Sequence, residues 1–235
     1  MVIQTSEHTV SSFDEELVHL AQSIAEMGGL VESAISDATN ALVRLDHPVA
    51  REVIARDKKI DEMQHRVDEM AVSMIARRQP MADDLRLIIA SIHVANDLER
   101  VGDMAKTICR RTLQIEEAQI SPKLYNGIRH MSDMVLGQIK TALDAFATRD
   151  DKAALEVCRH DDEVDAMYNS LFRELLTYMM EDPRNITACT NLLFCGKSLE
   201  RTGDHATNIA EQAFYVATGR AMVTQHEDIR TQPKI

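Results

Sequence analysis

Two short stretches hold the residue types that could do chemistry. Leu98-Glu99-Arg100-Val101-Gly102-Asp103 returns in the second half of the chain as Leu199-Glu200-Arg201-Thr202-Gly203-Asp204. Each copy sets two carboxylates four residues apart, a spacing that stacks them on one helix face at about 5–6 Å between Cβ atoms. Like charges held that close repel, so the arrangement is unfavourable unless a cation lies between them. A second acidic pair precedes each copy at the same spacing, Asp57 with Asp61 and Asp161 with Asp165.

The elements that would position these acids are long helices. Leu17, Leu20, Ile24, Met27, Val31, Ile35, Ala38, Leu42 and Leu45 recur at three and four, which predicts one helix from a capping box at Ser12-Phe13-Asp14-Glu15 to about Leu45. Gly28 and Gly29 inside that run imply a close helix contact or a bend. Asp46-His47-Pro48 opens a second helix, and Gln79-Pro80-Met81-Ala82-Asp83-Asp84 turns into a third that runs to about Gln114. After Glu116-Glu117-Ala118 the pattern restarts, with Ser121-Pro122 opening the fourth helix, Asp150-Asp151 the fifth and the Asp182-Pro183-Arg184-Asn185 turn the sixth.

The predicted fold is all-α: six long helices in two tandem antiparallel three-helix bundles related by an internal repeat. Residues 1–117 form the first repeat, 118–218 the second, and 219–235 a loose polar tail. If the second-to-third turn centres near Met81, Asp57/Asp61 lies roughly 22 residues before it and Glu99/Asp103 roughly 20 after, a mismatch near 3 Å. The same coincidence holds about Pro183 for Asp161/Asp165 and Glu200/Asp204. Four carboxylates are thus expected to converge in each repeat, and Asn208, one turn beyond Asp204, adds a neutral oxygen ligand in the second. All-oxygen ligands suit Mg²⁺, Mn²⁺, Ca²⁺ or iron better than a structural zinc.

Composition narrows the function classes. The chain carries 26 basic against 38 acidic residues, a formal net charge of -12, which opposes binding to nucleic acid or directly to anionic lipid. The four cysteines form no CxxC pair and read as reduced thiols in a cytosolic protein. Neither a signal peptide nor a membrane-spanning run is expected. One ExxH, Glu62 to His65, stands alone, where a di-iron bundle needs two; His93 and His205 are isolated. No nucleophile motif is present, so no catalytic residue is assigned. The plainest alternative treats the acids as a solvated helical face.

Two helical repeats with paired acids and an LERxGD signature, here "NDLERVGDMAKTI" and "KSLERTGDHATNIAE", resemble the PhoU family of phosphate-transport accessory and regulatory proteins. The likeness extends from "HTVSSFDEEL" to "AFYVATG". It implies a cytoplasmic, non-enzymatic negative regulator of the phosphate-starvation response. Such a protein couples the ATPase subunit of the high-affinity phosphate transporter to a phosphate-sensing histidine kinase and meets the membrane only peripherally, through partners. It also implies a homodimer, and metal ions (Mg, Mn, Fe or Zn) bound through the acidic motifs, which map to Asp57, Asp61, Glu99 and Asp103 and to Asp161, Asp165, Glu200 and Asp204. Met104 and Thr107 stand where the second copy has His205 and Asn208, so the second site is expected to bind more tightly. The competing readings are a metal-independent helical adaptor and a carboxylate-bridged metalloenzyme. Arg100 and Arg201 are expected to join the bundles or to serve a partner.

Overall fold

Helices begin and end where the local chemistry closes them, and the two halves do so in the same way. The computed structural model describes residues 11–115 and 122–222. Its helices are α1 (Ser11–Arg44), α2 (His47–Arg78), α3 (Ala82–Thr112), α4 (Pro122–Thr148), α5 (Asp151–Arg159), α6 (Asp161–Glu181) and α7 (Ile186–Thr218), with a 3-10 turn at Pro183–Asn185 before α7. Leu45 and Arg149, which follow α1 and α4, both take left-handed backbone, with φ of 51° and 54°. The next residue in each case is an aspartate that caps the following helix. Asp46 accepts from the Val49 N–H at 3.1 Å, and Asp150 from Lys152 and Ala153 at 3.0 and 3.1 Å.

Among the described residues every element is helical, as the periodicity predicts. The fifth of the six long helices is interrupted at His160, which separates α5 from α6. The buried Gln138 side chain on α4 donates to the His160 carbonyl at 3.1 Å, which also takes the Glu163 N–H at 3.2 Å in a tightened turn, and the His160 ring nitrogen Nδ1 lies 2.8 Å from the Glu156 carbonyl. The helix therefore restarts with Asp161 at its N-terminal end. The capping box at Ser12 is not the start of α1: the helix is already running at Ser11, and the Ser12 hydroxyl accepts instead from the Arg78 guanidinium at 3.1 Å. The Glu116 to Ser121 junction and the polar tail beyond Met222 lie outside the described residues.

The two bundles pack side by side through α3 and α7, with α1 against α4. On α3, Asp97, Ile108 and Arg111 meet His205, Cys195 and Phe194 in turn, so the helices run antiparallel. α1 and α4 are antiparallel as well: Gly28 faces Leu143, and the buried Thr39 hydroxyl donates to Ser132 at 3.0 Å. A Cβ on Gly28 would lie 2.5 Å from a Leu143 methyl, so this glycine marks a close helix approach, while Gly29 faces open space. One continuous core joins the halves, from Leu17 and Ile35 through Ile88, Leu98 and Ile108 to Ile139, Leu199 and Ile209. Antiparallel packing puts the two hairpin turns, near Met81 and Pro183, at opposite ends of the molecule. Removing so much apolar surface from water on long helix faces is the dominant stabilising term.

Candidate metal centres in the two repeats

Register between helices brings each acidic motif to its partner. On α2 and α3, Gln64 donates to Asn96 at 3.1 Å, and on the next turns Asp57 stands opposite Gly102 and Asp103. Gly102 permits this approach. A Cβ there would sit 3.0 Å from the Ile60 Cδ1 and 3.4 Å from Asp57 Oδ1. On α6 and α7, Thr207 donates to Asp161 at 3.2 Å, and Gly203 faces Val164.

The first centre has a lysine in it. The Lys106 ammonium donates to Asp103 at 2.6 Å and makes a short ion pair with Asp57, bridging α2 and α3. Asp57 is the buried member, 6% exposed. Burial pushes its carboxyl above the usual range, the hydrogen bond and charge of Lys106 pull it back, and Asp61 and Asp103 raise it further. Its second oxygen, Oδ1, is buried without a protein partner. Glu99 is likewise raised, by burial first and then by the charges of Asp103 and Asp61. Arg100 folds back along its own helix to Glu99 at 3.4 Å and Asp103 at 3.7 Å and does not join the bundles.

The second centre is more open. Lys197, half exposed, approaches from one side and pairs with Glu200 alone. The other Glu200 oxygen, Oε2, is buried and unpartnered. Desolvation raises the Glu200 carboxyl, with Lys197 opposing it and Asp204 and Asp165 reinforcing it; Asp204 is raised by the same cause, again with Asp165 adding repulsion. Lys197 also lies 5.5 Å from the centre of the Tyr168 ring.

Asp57, Asp61, Glu99 and Asp103 are thus grouped by the fold, as are Asp165, Glu200 and Asp204, while Asp161 accepts from Thr207. Among the described residues, however, no three His, Cys, Asp or Glu side chains are gathered as a ready-made metal cage. Asn208 turns the other way. Its amide donates to Asp97 at 3.1 Å, and the His205 Nδ1 lies 2.9 Å from the same Asp97 oxygen, so both residues tie α7 to α3 across the two repeats. His93 is exposed. Each set offers one desolvated, unpartnered carboxylate oxygen, Asp57 Oδ1 in the first and Glu200 Oε2 in the second, and each already carries a lysine: Lys106 bridges Asp57 and Asp103, and Lys197 pairs with Glu200. A cation in the first set would have to displace Lys106 from both of its partners.

Sequence reading missed Lys106, Lys197 and Asp97. The lysines had a signal, since each stands three residues from a motif acid and so on its face. Asp97 had none, because its partners are on another bundle.

Most of the chain also matches known proteins. The PhoU domain model matches residues 24–112 and again 128–213. A phosphate-specific transport system accessory protein PhoU homolog of Rhizobium meliloti is 51% identical over 212 residues, covering 90% of each chain. Its counterpart in Caulobacter vibrioides is 48% identical over 220 residues, 94% of this chain and 96% of that one. The crystal structure of PhoU from Pseudomonas aeruginosa superposes with a TM-score of 0.84 at 45% identity, over 88% of this chain and 100% of that one. The phosphate transport system regulatory protein PhoU from Streptococcus pneumoniae gives 0.83 at 30% identity, over 90% and 100%. With both repeats matched and the fold shared over most of its length, this chain belongs to the PhoU family.

Proposed function

We propose that this chain is a non-enzymatic regulator of phosphate transport that acts as a negative regulator of the phosphate-starvation response. It works in the cytoplasm as a homodimer, docking on the ATPase subunit of a phosphate transporter and on a phosphate-sensing histidine kinase, and it holds the kinase inactive when phosphate is ample. The names of its relatives, accessory and regulatory proteins of the phosphate transport system, support the role. Among the described residues no helix is long and apolar enough to cross a membrane, which fits a partner-borne, peripheral association.

The observation that supports the metal part of this reading is the unpartnered, buried oxygen of Glu200 beside Asp165 and Asp204. A divalent ion such as Mg²⁺ or Mn²⁺ there would neutralise carboxylates that otherwise repel, and so would set the charge a partner meets on this face. The chain's own residues supply the oxygen ligands and the helix spacing; the signal is carried by binding, not by chemistry. A metal-independent adaptor is the second reading, favoured by the lysines already paired with the acids in both centres.

Complementation tests it. In cells lacking the native gene, a starvation-response reporter should be repressed in high phosphate by the wild-type chain and released by the Glu200→Gln/Asp204→Asn variant at equal abundance. Repression by both would leave the adaptor and remove the metal; repression by neither would remove the regulator.

A further inference from the structure

The seam where α1 meets α4 is not symmetrical. Ala21, Ala25 and Gly29 stand on α1 at the positions where the repeat gives α4 Tyr125, Arg129 and Asp133. Beside these small residues the seam opens into a cavity of about 180 Å³, walled by Ile24, Leu87 and Phe146 and open to solvent along Ala25 and Gly29. A Cβ on Gly29 would meet no atom within 4 Å. Arg149 lies at one end. Its backbone is left-handed like that of Leu45 at the same point of the first repeat, but where Leu45 packs on the core Arg149 brings a guanidinium to the cavity. Its Nε is buried without a partner, and among the described residues nothing hydrogen-bonds or pairs with its side chain. We infer that this slot binds a single-chain anionic amphiphile, a short alkyl chain bearing one carboxylate or monophosphate group.

Charge selects the head group. The carboxylate next to Arg149 in the chain, Asp150, is turned to cap α5, so the guanidinium is left with its donor fork free for an anion. At the other end stand Glu32, Lys140 and Asp144. Burial raises the Glu32 carboxyl, the Lys140 charge opposes that, and Asp144 adds to it. Two acids against one lysine leave that end negative, which directs an anionic head to Arg149 and turns away a ligand charged at both ends. Between the ends the side chains are apolar, so the body of the ligand is hydrocarbon. From Ala21 to Gly29 the slot follows α1 for about 12 Å, the reach of a medium alkyl chain. The site is separate from both acidic centres and needs no metal.

Isothermal calorimetry of octanoate against the purified full-length protein tests this. Wild type should bind it saturably, one per chain, with affinity rising about fourfold per methylene from butanoate through hexanoate to octanoate. Octyl phosphate should bind comparably, while octanedioate, octanol and inorganic phosphate should each bind at least tenfold more weakly than octanoate. These comparisons use wild type alone and depend on no variant folding. Arg149→Gln should weaken octanoate at least tenfold. Gly29→Leu, whose side chain enters the open space, should abolish binding at unchanged helicity. Octanoate bound as tightly by Gly29→Leu as by wild type would place it elsewhere and overturn the slot. Octanol or octanedioate equal to octanoate would overturn the charge argument, and inorganic phosphate equal to octyl phosphate would overturn the amphiphile. No octanoate bound at all would overturn the proposal; if Gly29→Leu then also dissociated a dimer, the seam would belong to a second copy of the chain. The regulatory reading is tested separately, by complementation.

Discussion

The two acidic centres share a motif, a helix pair and a glycine at the closest approach, yet they differ in how their charge is balanced. In the first repeat the balance is internal and buried: Asp57, Lys106 and Asp103 form a bridge that helps fasten α2 to α3. In the second it is partial and peripheral, with Glu200 Oε2 unpartnered and Lys197 at the rim. Each site keeps one buried carboxylate oxygen without a partner, Asp57 Oδ1 or Glu200 Oε2; the difference lies in whether the lysine bridges two helices or pairs within one. Duplication conserves helix geometry because the core requires it; a single side chain beside the core, Lys106 or Thr207, decides which of the two roles results.

Removing the lysines should break this comparison most visibly. Lys106→Met leaves Asp57 buried without its partner, and breaking a largely buried pair costs about 2–4 kcal/mol. Lys197→Met removes a half-exposed pair, where the loss is about 0–1 kcal/mol. Urea denaturation in chelator should therefore show a large drop in midpoint for the first and almost none for the second. Equal losses would mean that the two lysines do the same work.

The tie between repeats sharpens the asymmetry next. Asp97 accepts from both His205 and Asn208, whereas the residue equivalent to Asp97 in the second copy is Ser198, whose hydroxyl donates within its own helix to Phe194. The link therefore runs one way only. Asp97→Ala should cost about 1–2 kcal/mol, since it strands two donors at the α3–α7 contact. Ser198→Ala, which loses only a bond along the helix, should stay within about 0.5 kcal/mol. Hydrogen exchange should localise the Asp97 effect to the facing turns of α3 and α7.

Most of the fold was legible in the sequence because its helices are long and amphipathic, and period and caps agree. Leu17 to Leu42 and Ile88 to Ile108 repeat without competing signals, although Leu85, expected on the same inward stripe, is exposed, and Asp46 and Asp150 cap as their spacing says. The break at His160 was hidden because its cause, the Gln138 side chain, comes from another helix. The acids of the two centres were legible from spacing and from their height above each turn. What lies between them was not: a pattern of carboxylates says where negative charge gathers, while the identity of the balancing cation depends on which side chain crosses the interface. Asn208 illustrates the limit, since its i+4 spacing from Asp204 is right for a shared ligand and yet Asp97 on the neighbouring bundle takes its amide.

Acidity separates the centres by a smaller margin. Asp57, Glu99, Glu200 and Asp204 all hold their protons to higher pH in the fold than in the unfolded chain, chiefly through burial. The native state therefore binds more protons than the unfolded state between the free carboxylate values, about 4, and the raised native ones, and the stability these groups contribute falls as pH rises through that window. Metal-free protein in low salt should be more resistant to urea at mildly acidic pH than at neutrality. Glu200→Gln/Asp204→Asn should flatten the part of this slope due to the second centre and leave the part due to Asp57 and Glu99. A slope erased completely by that variant would show that the first centre contributes nothing to it.

The glycines give the finest test of how tightly each centre is closed. Alanine at either position gains about 1 kcal/mol of helix propensity over glycine. At Gly102 the new methyl meets the Ile60 Cδ1 at 3.0 Å, on a buried side chain, and presses toward Asp57 Oδ1 at 3.4 Å, so overpacking offsets the gain and the net loss should be about 1 kcal/mol. At Gly203 the nearest atom is Gln138 Oε1 at 3.3 Å, and the Val164 methyl lies at an ordinary 3.6 Å, so the net change should be within about 0.5 kcal/mol. Urea midpoints of Gly102→Ala and Gly203→Ala measure the difference. If the first repeat is the rigid bridge, Gly102→Ala should also loosen the Lys106 ammonium and speed its acylation, whereas Gly203→Ala should leave Lys106 untouched; equal midpoints and equal Lys106 reactivity would place the two centres on the same footing.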